Sequence, residues 1–136
     1  MRQVVVDTNV LISLALVRHA TQRTVAVELL RRAGDGDLVI VLPQFIIFEA
    51  IHVFRSRYEL PPIEISTILR DITAFPGVTL SDDCPWPLFF EHWTDLKPAP
   101  IDAAVLALTI ANRYSLATFD RKLANRAKTF GVASYW

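Results

Sequence analysis

Two short stretches, Gln3 to Val6 and Leu38 to Leu42, end in or consist of consecutive branched apolar residues, without the polar alternation of a strand that has one wet face. Such strands are stable when both faces are covered, which in a chain of 136 residues means a parallel sheet between helical layers. Val78 to Leu80 and Leu116 to Phe119 read as two further strands, and Val132 to Tyr135 as an edge strand. Helices are expected over Val10 to Val17, Thr21 to Ala33, Gln44 to Arg57, Pro62 to about Ala74, Pro87 to Leu96, Ile101 to Tyr114 and Arg121 to Phe130. Gly34 reads as a C-cap, Asp35-Gly36 as a turn, Pro76-Gly77 as a break and Lys97-Pro98-Ala99-Pro100 as a loop. Strands alternating with helices predict a three-layer α/β/α sandwich with a mostly parallel central sheet, forming one domain over residues 1–136.

Composition narrows the class of protein. Hydrophobic residues make up 52% of the chain, enough for one core, and Gly totals only 4, so disorder is not expected. Fourteen Lys plus Arg balance fourteen Asp plus Glu, which gives no global signature of a nucleic-acid or membrane-surface binder. The single cysteine, Cys84, rules out an internal disulfide framework and suits a reducing compartment. Asp7 and Asn9 interrupt the N-terminal apolar run before a signal core forms, and Ala103 to Ala111 falls far below the ~20 residues of a membrane span. A cytoplasmic protein with no membrane partner is expected.

The chemistry is expected among acids. Asp7 ends the first strand, Asp102 opens the most apolar helix and Asp120 ends the fourth strand. Ligands of open parallel sheets bind beyond the carboxyl ends of the strands, where helix N-termini converge. Each aspartate alone could be a helix cap. Glu49 is harder to explain, because Phe45, Ile46, Ile47, Phe48, Ala50 and Ile51 surround it and a buried carboxylate needs a partner. A salt bridge to Arg55 or a solvent-facing stripe shared with His52 is the structural alternative. Carboxylates ~5 Å apart would repel by about 3 kcal/mol per pair at an effective dielectric near 20, so a cation or protonation must compensate. An all-oxygen cluster selects a hard divalent ion, Mg²⁺ or Mn²⁺, and such a site suits hydrolysis of a phosphodiester.

Four segments then carry a family resemblance. Val4-Val5-Val6-Asp7-Thr8-Asn9-Val10-Leu11-Ile12, Glu49 within an apolar helix, Ile101-Asp102-Ala103-Ala104-Val105-Leu106-Ala107, and Ala117-Thr118-Phe119-Asp120-Arg121-Lys122 resemble the PIN-domain nucleases in order and spacing. The chain looks most like the small toxins of the VapC type. That resemblance implies a Mg²⁺-dependent ribonuclease acting on RNA, restrained by a cognate antitoxin. It places Asp7, Glu49, Asp102 and Asp120 at the family's acidic metal-binding and catalytic positions, and Asn9 and Thr118 at its polar support positions. The stretch from about Pro61 to Pro100 matches no family motif.

Other features are weaker. From Asn112 onward, Arg113, Arg121, Lys122, Arg126 and Lys128 face one acid, Asp120, which would make a local basic surface for an RNA backbone or merely a solvated helix. Setting the four candidate ligands aside leaves ten acids against fourteen bases. His19, His52 and His92 lack ligand spacing, and Trp86, Trp93 and Trp136 read as packing residues that could alternatively stack on bases. No Gly-x-Gly-x-x-Gly, Walker A or Gly-x-Ser-x-Gly sequence occurs. A phosphatase of the haloacid-dehalogenase type is the enzymatic alternative, but position 9, where that family resemblance would want Asp, is Asn9. A non-catalytic PIN-like RNA- or protein-binding module is the other. Phe45, Ile46, Ile47, Phe48, Ile51, Val53 and Phe54 exceed one core-facing stripe, which predicts a homodimer through the helices between Pro43 and Ala74.

Overall fold

The computed structural model describes residues 1–96 and 99–136. Four strands, β1 (Arg2–Val6), β2 (Leu38–Pro43), β3 (Val78–Ser81) and β4 (Ser115–Ala117), form one sheet in the order β3-β2-β1-β4, with every neighbouring pair parallel. Seven helices complete the described chain: α1 (Thr8–Ala15), α2 (Ala20–Gly34), α3 (Gln44–Ser56), α4 (Pro62–Thr73), α5 (Trp86–Leu96), α6 (Pro100–Asn112) and α7 (Arg121–Thr129). The expected α/β/α sandwich is therefore present.

Strand order follows from the connections. β1 to β2 to β3 steps outward in one direction, whereas β3 to β4 returns across the sheet to the other side of β1. Right-handed crossovers then set α1 to α4 on one face and α5 and α6 on the other. In keeping with this, α1 packs on α2 and α3, α3 packs on α4, and α5 packs on α6. The reversal creates a crevice between the carboxyl ends of β1 and β4, the place where such sheets bind ligands.

Val4, Val5, Val6, Ile40, Val41, Leu42, Leu116 and Ala117 are all buried, as the unbroken apolar runs require. Residues 103–109 of α6 are buried in succession, so this helix has no wet face over two turns. Pro100 stands in its first turn, and Arg113, in the left-handed conformation at φ 57°, ends it.

Several boundaries differ from the sequence expectation. α1 begins at Thr8, because Asp7 caps it directly, and ends at Ala15. Gly34 is the last residue of α2 rather than its cap, which is Asp35. β4 covers Ser115–Ala117, two residues shorter at its end than expected, because Phe119 N–H turns to the Asn9 side chain. Residues Val132 to Tyr135 do not form a full strand: a single parallel bridge joins Leu116 and Ser134, with Leu116 N–H donating to Ala133 O and Tyr135 N–H to Leu116 O. Of the expected loop before α6, Lys97 and Pro98 lie outside the described residues, and Pro100 is already helical. The apolar surplus of α3 is also smaller than its composition suggests. Ile46 and Phe54 are fully buried and Phe48 alone among the seven is exposed, at 63%. The exposed apolar surface continues instead on β3 and α5, through Leu80, Trp86, Phe90 and Trp93.

Candidate active site

Asp7 follows the last residue of β1 and is 5% exposed. Its Oδ1 accepts from Thr8 N–H at 2.8 Å, so the cap reading is correct for this oxygen. The other oxygen has a different role. Oδ2 accepts from the Thr118 hydroxyl at 2.7 Å and from the Asn9 amide at 3.3 Å, which ties α1 to the loop after β4. Asn9 completes that tie by accepting Phe119 N–H at 3.1 Å. Thr118 Oγ1 also receives Asp120 N–H at 3.0 Å and the Asn9 amide at 3.4 Å. The two residues expected as polar supports therefore hold Asp7 and the Asp120 loop in one network. Asn9 is fully engaged in positioning.

Asp120 caps α7, with Oδ1 accepting from Lys122 N–H at 2.9 Å and Leu123 N–H at 3.2 Å. Asp102 lies in the first turn of α6 and is half-buried. Glu49, one turn beyond Phe45 on α3, is also half-buried. The salt bridge to Arg55 is not formed, and Glu49 Oε2 is buried and meets no hydrogen-bond partner among the described residues. The Thr8 hydroxyl is likewise unpartnered; it lies near enough to favour the ionised form of Glu49, although no well-formed hydrogen bond joins the two. Sequence reasoning did not single out Thr8, whose only signal was its place beside Asp7.

The carboxylates sense one another. Burial pushes the Asp7 carboxyl up, its bonds to Thr118, Thr8 and Asn9 oppose this, and Asp120 adds to the rise. Glu49 is raised by burial and then by Asp7 and Asp102. Asp102 is raised to about 6 by burial, Asp7 and Asp120. All four expected acids thus share one electrostatic field at the crevice. They form a wide bowl: among the described residues, no three acidic, histidine or cysteine side chains stand close enough to hold a metal ion as they are arranged.

The PIN domain model matches residues 4–129. This chain is a PIN-domain protein. No curated protein matches it. Among solved structures, the crystal structure of PAE2754 from Pyrobaculum aerophilum superposes with a TM-score of 0.65 at 17% identity, covering 98% of this chain and 90% of that one, which shows the shared fold. PIN domains are generally nucleases and typically use divalent metals. The residues of this PIN domain fit such an ion: the donors are all oxygen, one buried Glu49 oxygen lacks a partner, and the acids repel one another. A wide bowl is compatible with Mg²⁺, which retains several waters and binds through one or two carboxylates.

The remaining sequence candidates separate. Arg121 and Lys122 are exposed at the start of α7 beside Asp120, and Arg113, also exposed, stands at the other end of α6, roughly 16 Å of helix from Asp102. His92 is buried edge-on to Phe130 at 4.6 Å. Arg18, not anticipated, donates to Asn9 O at 3.0 Å and brings an exposed cation to the rim. Among the described residues, no helix is long and apolar enough to cross a membrane.

Proposed function

We propose that this PIN domain is a Mg²⁺- or Mn²⁺-dependent endoribonuclease, and that it is the VapC-like toxin of a type II toxin–antitoxin pair acting in the cytoplasm. The observation that carries the nuclease reading is the partnerless buried oxygen of Glu49 in a field shared with Asp7, Asp102 and Asp120. Asp7 and Asp102 are the principal metal ligands in this reading, and Glu49 and Asp120 complete the acidic pocket. A bound divalent ion supplies an activated water and neutralises charge developing on the phosphate. The protein contributes placement: Thr118 and Asn9 fix Asp7, while Glu49 Oε2 can accept a proton-bearing water and orient it for in-line attack. The phosphodiester oxygen opposite that water leaves as the new strand end.

Two surfaces support the finer assignments. An apolar groove between α3 and α4, lined by Ile47, Ile51, Ile65 and Leu69 and rimmed by Arg55 and Arg70, suits a segment of an antitoxin. The exposed group of Phe48, Leu80, Trp86, Phe90 and Trp93 suits a homodimer contact. Because the acids repel one another without a cation, an antitoxin that places an arginine among them would substitute for the metal's charge.

The decisive assay is cleavage of a labelled single-stranded RNA by the purified protein with Mg²⁺, with Mn²⁺ and with excess EDTA. Activity should require the ion and fall by orders of magnitude in Asp7→Asn and Asp102→Asn. Cleavage that persists in EDTA would refute the mechanism, and RNA binding without cleavage in either metal would favour the non-catalytic module. Relief of cleavage and of growth inhibition by the small protein of the adjacent gene tests the toxin assignment.

A further inference from the structure

Trp136 is held against the scaffold of the site while the residue as a whole stays partly exposed. Its Nε1–H donates to Thr118 O at 2.9 Å, and its ring stacks on Phe119 at 4.9 Å with an interplanar angle of 11°. Tyr135 meets the indole edge-on at 5.3 Å. Both residues it rests on belong to the site's own scaffold, since Thr118 Oγ1 bonds Asp7 and Phe119 N–H bonds Asn9. Yet Trp136 remains 38% exposed.

Cations stand beside the residues that hold Trp136. Arg121 and Lys122 follow Asp120 in exposed positions, and Arg18 reaches the carbonyl of Asn9. On the far side, Arg2 lies over the Tyr135 ring at 4.9 Å and Arg32 at 5.8 Å, with Arg32 also donating to Tyr135 Oη at 2.9 Å and standing 3.9 Å from Asp37. An anchored, partly exposed tryptophan on the scaffold of the acidic bowl, with exposed cations two and three residues past its stacking partner Phe119, matches how proteins bind single strands: bases stack while phosphates meet positive charge.

We propose that Trp136, backed by Phe119, is a stacking platform for one unpaired base of the RNA strand that enters the acidic crevice. This rests on the nuclease reading and narrows its substrate to single-stranded RNA, because a base within a duplex cannot present its face to the indole. Trp136 acts as a binding and specificity residue rather than a catalytic one.

The test uses the full chain carrying Trp86→Phe and Trp93→Phe, so that Trp136 is its only tryptophan. A short single-stranded RNA with non-hydrolysable phosphorothioate linkages should quench its fluorescence saturably, and the same sequence in a duplex should not. In cleavage assays, Trp136→Ala should raise KM roughly tenfold with kcat changed far less, and Trp136→Phe should retain most of the affinity. If the wild type cleaves RNA but Trp136→Ala leaves KM unmoved, or RNA produces no quenching, the platform is refuted while the nuclease reading stands. Quenching by the adjacent gene's protein but not by RNA would refute it in favour of a protein contact. A wild type that neither binds nor cleaves RNA would overturn both.

Discussion

Replacing Asp102 by Asn removes one charge from the acidic bowl while keeping side-chain size, and two opposing effects predict opposite results. As an acid in the first turn of α6, Asp102 favours the helix by about 0.3–1 kcal/mol through the macrodipole. As a half-buried acid facing Asp7 and Asp120, it is disfavoured when ionised, and its pKa rises from 3.8 to about 6. Between those values the folded chain holds a proton that the unfolded chain has released, so this contribution to stability is complete below about pH 4 and is lost as pH rises through 6. The interval corresponds to roughly 3 kcal/mol at full strength, and partial solvent access reduces it to about 1–3 kcal/mol. Repulsion and burial therefore outweigh the dipole. In EDTA at pH 8 the net gain of about 0.5–2.5 kcal/mol should make Asp102→Asn melt roughly 2–9 °C higher than wild type, and the difference should vanish near pH 4. Thermal melts followed by circular dichroism at half-unit steps of pH give the comparison. A variant that melts lower than wild type at pH 8, or a difference independent of pH, would refute the reasoning.

Thr118→Val deletes the hydroxyl that serves Asp7, Asn9 and Asp120 N–H, and urea unfolding should show a loss of about 1–3 kcal/mol. Gly77, at φ 86°, would place a Cβ 2.2 Å from Ala33 O, so Gly77→Ala should cost more than about 2 kcal/mol, whereas Gly36→Ala, at φ 83° in open space, should cost about 1 kcal/mol. Mg²⁺ at a hundredfold excess over its Kd should stabilise the wild type by about 2.7 kcal/mol in calorimetry, and Asp7→Asn should lose most of that gain.

What the sequence determined by itself was local and periodic. Continuous apolar runs specified buried parallel strands, because a strand with both faces covered has no position left for polar alternation. Asp7 and Asp120 were legible as strand-end acids because capping is a contact between near neighbours, and both do cap. Glu49 was legible through the apolar residues around it. Tertiary structure decided the rest. Only the order β3-β2-β1-β4 sets the end of β4 beside the end of β1, so that a hydroxyl 111 residues away in sequence bonds Asp7. The length of the Val132 to Tyr135 run could not reveal that it pairs through a single bridge, since pairing depends on the partner strand's free edge. The surplus of α3 looked larger than it is because burial of Ile46 and Phe54 depends on which elements cover that helix. Trp136 could not be assigned from its surroundings in sequence: its position is set by Phe119 and Thr118, across a separation that no short-range pattern encodes.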